Sequence, residues 1–188
     1  MELVSEAIAF AVKAHDGMRR KKSDAPYILH PMEAAVIVGT MTCDQNVISA
    51  AVLHDVVEDA DIDIEEIEEK FGKRVRELVQ SETEDKRADL PPQDTWHIRK
   101  EESLELLKNT SDIEVLMVWL GDKLANMRAI YRDFLVEGVA MWQRFNQKDV
   151  NEQAWYYRSI AKFTSRLSDN LAWKEYNTLT ELVFGKGE

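Results

Sequence analysis

The stretch AAVLHDVVEDAD, residues 50 to 61, places a histidine and several acids within a run of alanine, valine and leucine. Such an apolar run is typical of a buried helix, in which residues four apart share a face. His54 then lies over Glu58, and Asp55 over Asp59. Isolated buried charges are costly, so these groups are expected to neutralise, to pair with each other or to bind a metal. The stretch therefore predicts a polar cluster inside a helical core.

The composition indicates a helical protein of one domain. The chain has 188 residues, of which 45% are hydrophobic, enough for a single domain with a sizeable core. Its seven glycines and four prolines are few, and apolar residues recur at helical spacing along most of the chain. We therefore predict an all-α fold, in one domain over residues 1 to 188.

The charge and the termini exclude several classes of function. A net charge of -11 argues against nucleic acid or an anionic membrane as a partner, because both require a broad basic face. No stretch approaches the ~20 apolar residues of a membrane span, and Met1 opens directly into an amphipathic pattern. The single cysteine, Cys43, cannot form an internal disulfide. We expect a cytoplasmic protein.

Helix signals divide the chain into segments. Pro31 suits the first turn of a helix, and Asp44 is a candidate N-cap for the helix that carries His54. Two short amphipathic helices are expected to meet at Gly72, and the polar residues 84 to 95 are expected to form a loop. Further helices are predicted over residues 2 to 15, 96 to 107 and 113 to 131, with two or three more ending near Phe184.

Two other stretches offer partners for His54 and Asp55. His30 lies in PYILHP, and Asp122 lies in the apolar stretch MVWLGDKLANMRAI. Taken alone, His30 is an ordinary packed or capping residue, and Asp122 a salt-bridge partner of a lysine or arginine. Together the four residues form a set of two imidazoles and two carboxylates. This set suits Mn²⁺ and, less specifically, Fe²⁺, Zn²⁺ or Mg²⁺.

A basic cluster, RRKK at residues 19 to 22, stands out in this acidic chain. Charge runs of this kind are commonly solvated turns. The cluster nevertheless lies just upstream of the histidine in PYILHP, so it stays a candidate for the site.

The order of these motifs resembles the HD-domain hydrolases of the RelA/SpoT type, and within them the small stand-alone alarmone hydrolases. The resemblance covers roughly residues 1 to 135 through AHDGMRRKKSDAPYILHP, AAVLHDVVEDADIDIEEIEEKFGKRVRELV and LGDKLANMRAI. It implies an HD-domain helical bundle, to which about residues 136 to 188 add C-terminal helices. Within those helices, the segments RFN and WYYRS are expected to close the pocket, and Trp155 and Tyr156 are expected to pack in the core.

The resemblance also implies a role for each candidate residue. The ligands of one Mn²⁺ would be His30, His54, Asp55 and Asp122. The residues that act on the attacking water would be Glu58 and Asp59. The residues that approach the nucleotide would be Arg20, Lys21, Lys22, Tyr27 and Asn126. Related sequences usually place an arginine in the loop before the metal histidine, where this chain has Lys21 or Lys22. The resemblance therefore does not determine which basic residue contacts the substrate.

The implied activity is hydrolysis of the 3′-diphosphate of guanosine tetra- or pentaphosphate, ppGpp or pppGpp, giving GDP and pyrophosphate from the tetraphosphate. One alternative is an HD phosphohydrolase that acts on a nucleoside monophosphate or on NADPH. A second is a catalytically silent module that binds a nucleotide in the same pocket. A homo-oligomer is compatible with all three.

Overall fold

In the computed structural model, the described residues are 2 to 20, 24 to 60, 62 to 87 and 89 to 186. They form ten α-helices and no strand beyond an isolated bridge between Arg19 and Pro26. This confirms the predicted all-α class. The helices are α1 Leu3–Ala14, α2 Leu29–Gly39, α3 Gln45–Leu53, α4 Val56–Asp59, α5 Ile64–Phe71, α6 Lys73–Glu82, α7 Pro92–Asn109, α8 Ile113–Glu137, α9 Val150–Phe163 and α10 Leu171–Phe184. Two 3₁₀ helices cover Gly138–Arg144 and Ser165–Leu167.

Several predicted boundaries are confirmed by the local chemistry. Asp44 caps α3, its carboxylate accepting a hydrogen bond from the Asn46 amide at 2.7 Å. Gly72 joins α5 to α6 with φ at +86°, a left-handed value that favours glycine. Asp112 caps α8 in the same way as Asp44, by accepting from the Glu114 amide.

Three predicted boundaries were wrong. The helix expected to run through His54 ends at Leu53, and α4 begins only at Val56, so His54 and Asp55 occupy a turn between two helices. Helix α7 starts inside the predicted loop, at Pro92, because proline is well suited to the first turn of a helix. Helix α8 continues past residue 131 to Glu137.

Two hydrophobic cores flank α8. The N-terminal core consists of the buried apolar residues of α1, α3, α5 and α6, with part of α2, and is rich in alanine and valine. The C-terminal core joins α8 to α7, α9 and α10 and contains most of the buried aromatic side chains. Because α8 packs against α2, α3, α6 and α10, it forms the boundary between the two cores.

Helices α2 and α8 approach each other closely at Gly121. A Cβ atom at this position would lie 2.6 Å from Val38 Cγ2 and 3.0 Å from the Ala34 carbonyl oxygen. The contact therefore requires glycine, and it brings the next residue, Asp122, to the face of α2 that carries His30. None of the helices in the described parts of the chain combines the length and apolar character needed to cross a membrane.

Candidate metal and nucleotide site

Four of the predicted residues converge between α2, α8 and the turn that joins α3 to α4. His30 Nε2 lies 3.0 Å from Asp122 Oδ1 and 3.5 Å from Asp55 Oδ2. His54 Nε2 lies 3.2 Å from Asp55 Oδ2 and 3.5 Å from Asp122 Oδ1. Ligand atoms of His30, His54 and Asp122 all lie within 4.8 Å of one another, close enough to bind a single ion.

The backbone orients the imidazole of His54. Its Nδ1 lies 2.9 Å from the Ala51 carbonyl oxygen, a distance at which a protonated Nδ1 donates and leaves the Nε2 lone pair free. That Nε2 is buried and has no hydrogen-bond partner among the described residues. A buried imidazole nitrogen of this kind, facing two carboxylates, fits a divalent cation.

The electrostatics of the four residues favour a positive charge at their centre. Burial lowers the pKa of His54, but Asp55 and Asp122 raise it more strongly, so the net pKa lies well above its usual range. Burial raises the pKa of Asp122, but Lys123 and the two histidines bring it well below its usual value. The carboxylates are therefore ionised and available as ligands.

The acid pair Glu58 and Asp59 lies on α4, beside this centre. The Tyr27 hydroxyl lies 2.8 Å from Asp55 Oδ2 and 2.6 Å from Asp59 Oδ2, so it bridges the two acids. Lys86 donates to the Glu58 carbonyl oxygen at 2.7 Å and also pairs with Asp59. Burial and the nearby Asp55 raise the pKa of Glu58. Neither acid is a surface residue of a frayed helix end.

A polar cavity of about 150 Å³ lies over the converging residues, with Glu58, Asp59, Glu82 and Lys123 among those that line it. It adjoins a cleft of about 520 Å³ that is both polar and apolar. The residues shared by cavity and cleft are Arg20, Tyr27, Asp59, Lys100 and Asn126. The apolar side of the cleft includes Ile130, Phe145 and Tyr157.

The predicted substrate-binding residues fall into two groups. Arg20 donates to Asn126 Oδ1 at 2.9 Å, and its guanidinium lies 5.6 Å from the centre of the Tyr27 ring. Asn126 in turn donates to Asp122 Oδ1 at 2.6 Å, which joins the basic loop to the four converging residues. Lys21 and Lys22 lie outside the described residues.

Sequence reasoning missed several charged residues that line the polar cavity. Lys100 and Lys123 supply positive charge there, and Glu82 and Glu84 add carboxylates. Lys123 directly follows Asp122 within GDKLANMR, so the motif could have identified it as a candidate. Lys100 lies on α7 in a stretch that carries no recognisable motif, and only tertiary packing brings it to the cavity.

The aromatic residues near the C terminus differ in their position. Tyr156 is buried, with its ring against Trp96, as predicted for core packing. Trp155 is only partly buried and stacks on His97 with ring centres 4.6 Å apart. Tyr157, the residue after Tyr156, lines the cleft; the segment WYYRS was expected to close the pocket, but Tyr157 itself was not singled out.

Comparison with known proteins identifies the family. The model of the HD domain matches residues 7 to 149. The chain belongs to the HD-domain family. The match extends beyond residue 135, the predicted end of the HD core, and the subdivision of the chain stays a prediction.

Two relatives illustrate the similarity in sequence. A GTP pyrophosphokinase of Brucella ovis is 35% identical over 68% of this chain and 17% of its own length. A guanosine-3′,5′-bis(diphosphate) 3′-pyrophosphohydrolase of Aquifex aeolicus is 33% identical over 69% of this chain and 18% of its own length. The chain thus spans less than a fifth of either relative.

A solved structure gives a match over nearly the full length of both chains. It is described as a metazoan ortholog of SpoT that hydrolyses ppGpp, and it superposes with a TM-score of 0.77 at 26% identity. The superposition covers 99% of this chain and 98% of the other. The helices after residue 149 therefore have counterparts in that structure.

Proposed function

We propose that this chain is a divalent-metal phosphohydrolase that converts ppGpp to GDP and pyrophosphate. The observation that carries the proposal is the convergence of His30, His54, Asp55 and Asp122 at one point, directly beside the acid pair Glu58 and Asp59. The Aquifex relative is named for this reaction and the metazoan structure is described as hydrolysing ppGpp, which supports the choice of substrate.

The proposed ligands of the cation are His30, His54, Asp55 and Asp122, and the proposed ion is Mn²⁺. Mixed imidazole and carboxylate ligands without thiolate suit Mn²⁺, with Fe²⁺, Zn²⁺ and Mg²⁺ as alternatives. Bound there, such an ion supplies Lewis-acid chemistry, polarising a phosphoryl oxygen and acidifying water.

Glu58 and Asp59 have different roles in the proposed reaction. Asp59 is held by Tyr27 and Lys86, so its oxygens are fixed and suited to orienting the attacking water. The pKa of Glu58 is raised, which brings that pKa closer to neutral pH and makes Glu58 the better carrier of the water proton. The oxygen of water forms a bond to the phosphorus that carries the 3′ oxygen. The bond from this phosphorus to the 3′ oxygen then breaks, and the 3′ oxygen leaves with the proton that Glu58 took from the water.

The remaining cations are arranged for a substrate with several phosphates. Lys100 and Lys123 line the polar cavity, and Arg20 lies where the cavity joins the cleft. We propose that the cavity takes the 3′-diphosphate and that the cleft takes the nucleoside, with Tyr27 and Asn126 at the junction. Lys21 and Lys22 remain candidates for the second diphosphate.

The test is an assay of the purified, Mn²⁺-loaded chain against ppGpp, GMP and NADPH, followed by anion-exchange chromatography. We expect GDP and intact pyrophosphate from ppGpp, and much slower turnover of the other two nucleotides. The Glu58→Gln variant is the matched control, because it removes the proposed proton carrier and retains the metal ligands. Release of single phosphates from ppGpp, or faster turnover of GMP or NADPH, would contradict the proposal.

A further inference from the structure

Glu82, the last residue of α6, has a carboxylate buried at the polar cavity that the proposed mechanism does not use. Its side chain is only 2% exposed, and Oε2 lies 3.4 Å from Lys123 Nζ. The other oxygen, Oε1, is buried and has no hydrogen-bond partner in the described parts of the chain. An unpartnered carboxylate oxygen is costly in a protein interior. Its position at the cavity therefore points to a positive partner taken up from solution.

Lys123 connects Glu82 to the proposed metal ligands. Its ammonium donates to Asp122 Oδ2, while Asp122 Oδ1 faces His30 at 3.0 Å. The ammonium also lies 4.7 Å from the centre of the Trp119 ring, and Trp119 Nε1 donates to the Ser81 carbonyl oxygen at 3.1 Å. The end of α6 and the middle of α8 therefore jointly fix the position of Lys123. Lys123 in turn determines which oxygen of Asp122 faces the histidines.

The charges of this buried group match a divalent cation. An ammonium on the Asp122 carboxylate would by itself repel a cation bound to the same carboxylate. Glu82 is expected to ionise when a cation binds and then to offset that ammonium, so the carboxylates of Asp55, Asp122 and Glu82 with the single ammonium of Lys123 would leave two negative charges. Without Glu82 only one negative charge would face the ion.

Glu84 provides an internal comparison, because it is also buried at the cavity but is fully paired. It accepts hydrogen bonds from Arg99 at 3.0 Å, from Ser103 at 3.0 Å and from Lys100. Its charge is satisfied within the protein, whereas that of Glu82 is satisfied only in part.

We propose that Glu82 is a positioning residue for divalent-cation binding, which holds Lys123 against Asp122 and supplies the third negative charge of the buried group. The inference rests on the proposed metal centre and deepens it. Glu82 is not proposed as a ligand of the ion.

The test measures Mn²⁺ binding by isothermal titration calorimetry, using chelator-stripped full-length protein without nucleotide. Glu82→Gln keeps the shape of the side chain and removes its charge, and we expect the dissociation constant to rise roughly 10- to 100-fold, as for other residues behind metal ligands. Glu77→Gln, the same change on the exposed face of α6, is the matched control and is expected to bind as wild type. If Glu82→Gln fails to fold, Glu82→Asp replaces it, with a smaller rise expected.

A double variant tests whether Glu82 acts through Lys123. Glu82→Gln combined with Lys123→Met again leaves two negative charges, so it should bind Mn²⁺ more tightly than Glu82→Gln alone. An unchanged affinity in the single variant, or no recovery in the double variant, would overturn the inference while leaving the metal centre intact. A wild-type protein that binds no divalent ion would overturn both.

Discussion

The two cores that flank α8 differ in the size of their side chains, and they position different parts of the site. The N-terminal core is built largely from alanine and valine, so its helices pack closely and the backbone fixes the side chains above it. The C-terminal core is built around large aromatic residues, and the cleft opens along its edge at Tyr157 and Phe145. The core of small residues thus lies beside the proposed reacting groups, and the core of large aromatic residues lies beside the cleft proposed for the ligand.

Removing the ligand candidate that comes from α8 should have the largest effect. Asp122→Ala leaves His30, His54 and Asp55 on the N-terminal side without their partner, so bound Mn²⁺ and activity should fall together. We expect metal affinity and activity to fall more than about 100-fold, which exceeds the typical effect of replacing a residue that only orients a metal ligand. Elemental analysis and initial rates measure both quantities, with the exposed Glu137→Gln on the same helix as control. Full metal occupancy in Asp122→Ala would refute the ligand assignment.

Neutralising the acid pair should affect turnover and leave the metal in place. Glu58→Gln and Asp59→Asn retain size and hydrogen-bonding capacity, and general acid–base groups typically contribute ~10²- to 10⁴-fold to the rate. We expect kcat to fall by that factor with Mn²⁺ still bound. Near-normal turnover in both variants would show that the chemistry lies elsewhere.

These predictions depend on residues that the sequence supplied in advance. His30, His54, Asp55 and Asp122 stand in short motifs, and those motifs predict which side chains bind a metal. The sequence could not show the turn at His54, because apolar residues at helical spacing stand on both sides of it.

The charged residues around the predicted ones were harder to find. Lys100 and Glu82 lie outside the quoted motifs, so only the packing of α6 against α8 and of α7 against α9 shows that they reach the cavity. The aromatic side of the cleft was predictable only in part. Tyr156 and Tyr157 are consecutive on one helix, and the sequence does not indicate which of them faces the opening.

Adding a side chain at Gly121 should test how closely α2 and α8 are packed. Gly121→Ala forces its Cβ against Val38 and the Ala34 carbonyl, and overpacking of this kind typically costs about 1–3 kcal/mol. We expect the free energy of unfolding to fall by that amount and Mn²⁺ binding to weaken, because Asp122 is the next residue. Gly39→Ala in α2 is the matched control, since a Cβ there meets nothing within 4 Å. Equal denaturation midpoints for the two variants would contradict the prediction.

Trimming the aromatic edge of the cleft should change substrate binding with little effect on chemistry. Phe145→Leu removes an aromatic ring from the lining of the cleft, and stacking of a base on an aromatic ring is worth about 1–3 kcal/mol. We expect KM for ppGpp to rise roughly tenfold, at the lower part of that range, with kcat nearly unchanged. Phe163→Leu, in the same core but away from the cleft, is the control. A fall in kcat at constant KM would place Phe145 in the chemical step.

A further prediction concerns the pH dependence of stability in metal-free protein. Burial, opposed by the Lys123 ammonium, raises the pKa of Glu82 from 4.5 to about 8. Between these values the folded chain holds a proton that the unfolded chain has released, so this group's contribution to stability decreases as pH rises. In Glu82→Gln that contribution is absent. Melting temperatures between about pH 5 and pH 8 should therefore fall more steeply in wild type, and parallel profiles would contradict the prediction.

The turn at His54 and Asp55 also affects how the protein is assembled. Three of the four proposed ligands precede Asp122 along the chain, on α2 and in the turn between α3 and α4. An ion that binds all four would link α8 to α2 and to the turn between α3 and α4, since it is fully coordinated only when α8 is docked. Its binding energy would then add directly to the resistance of this junction to opening. Loss of the metal would consequently loosen the cleft as well as stop the reaction.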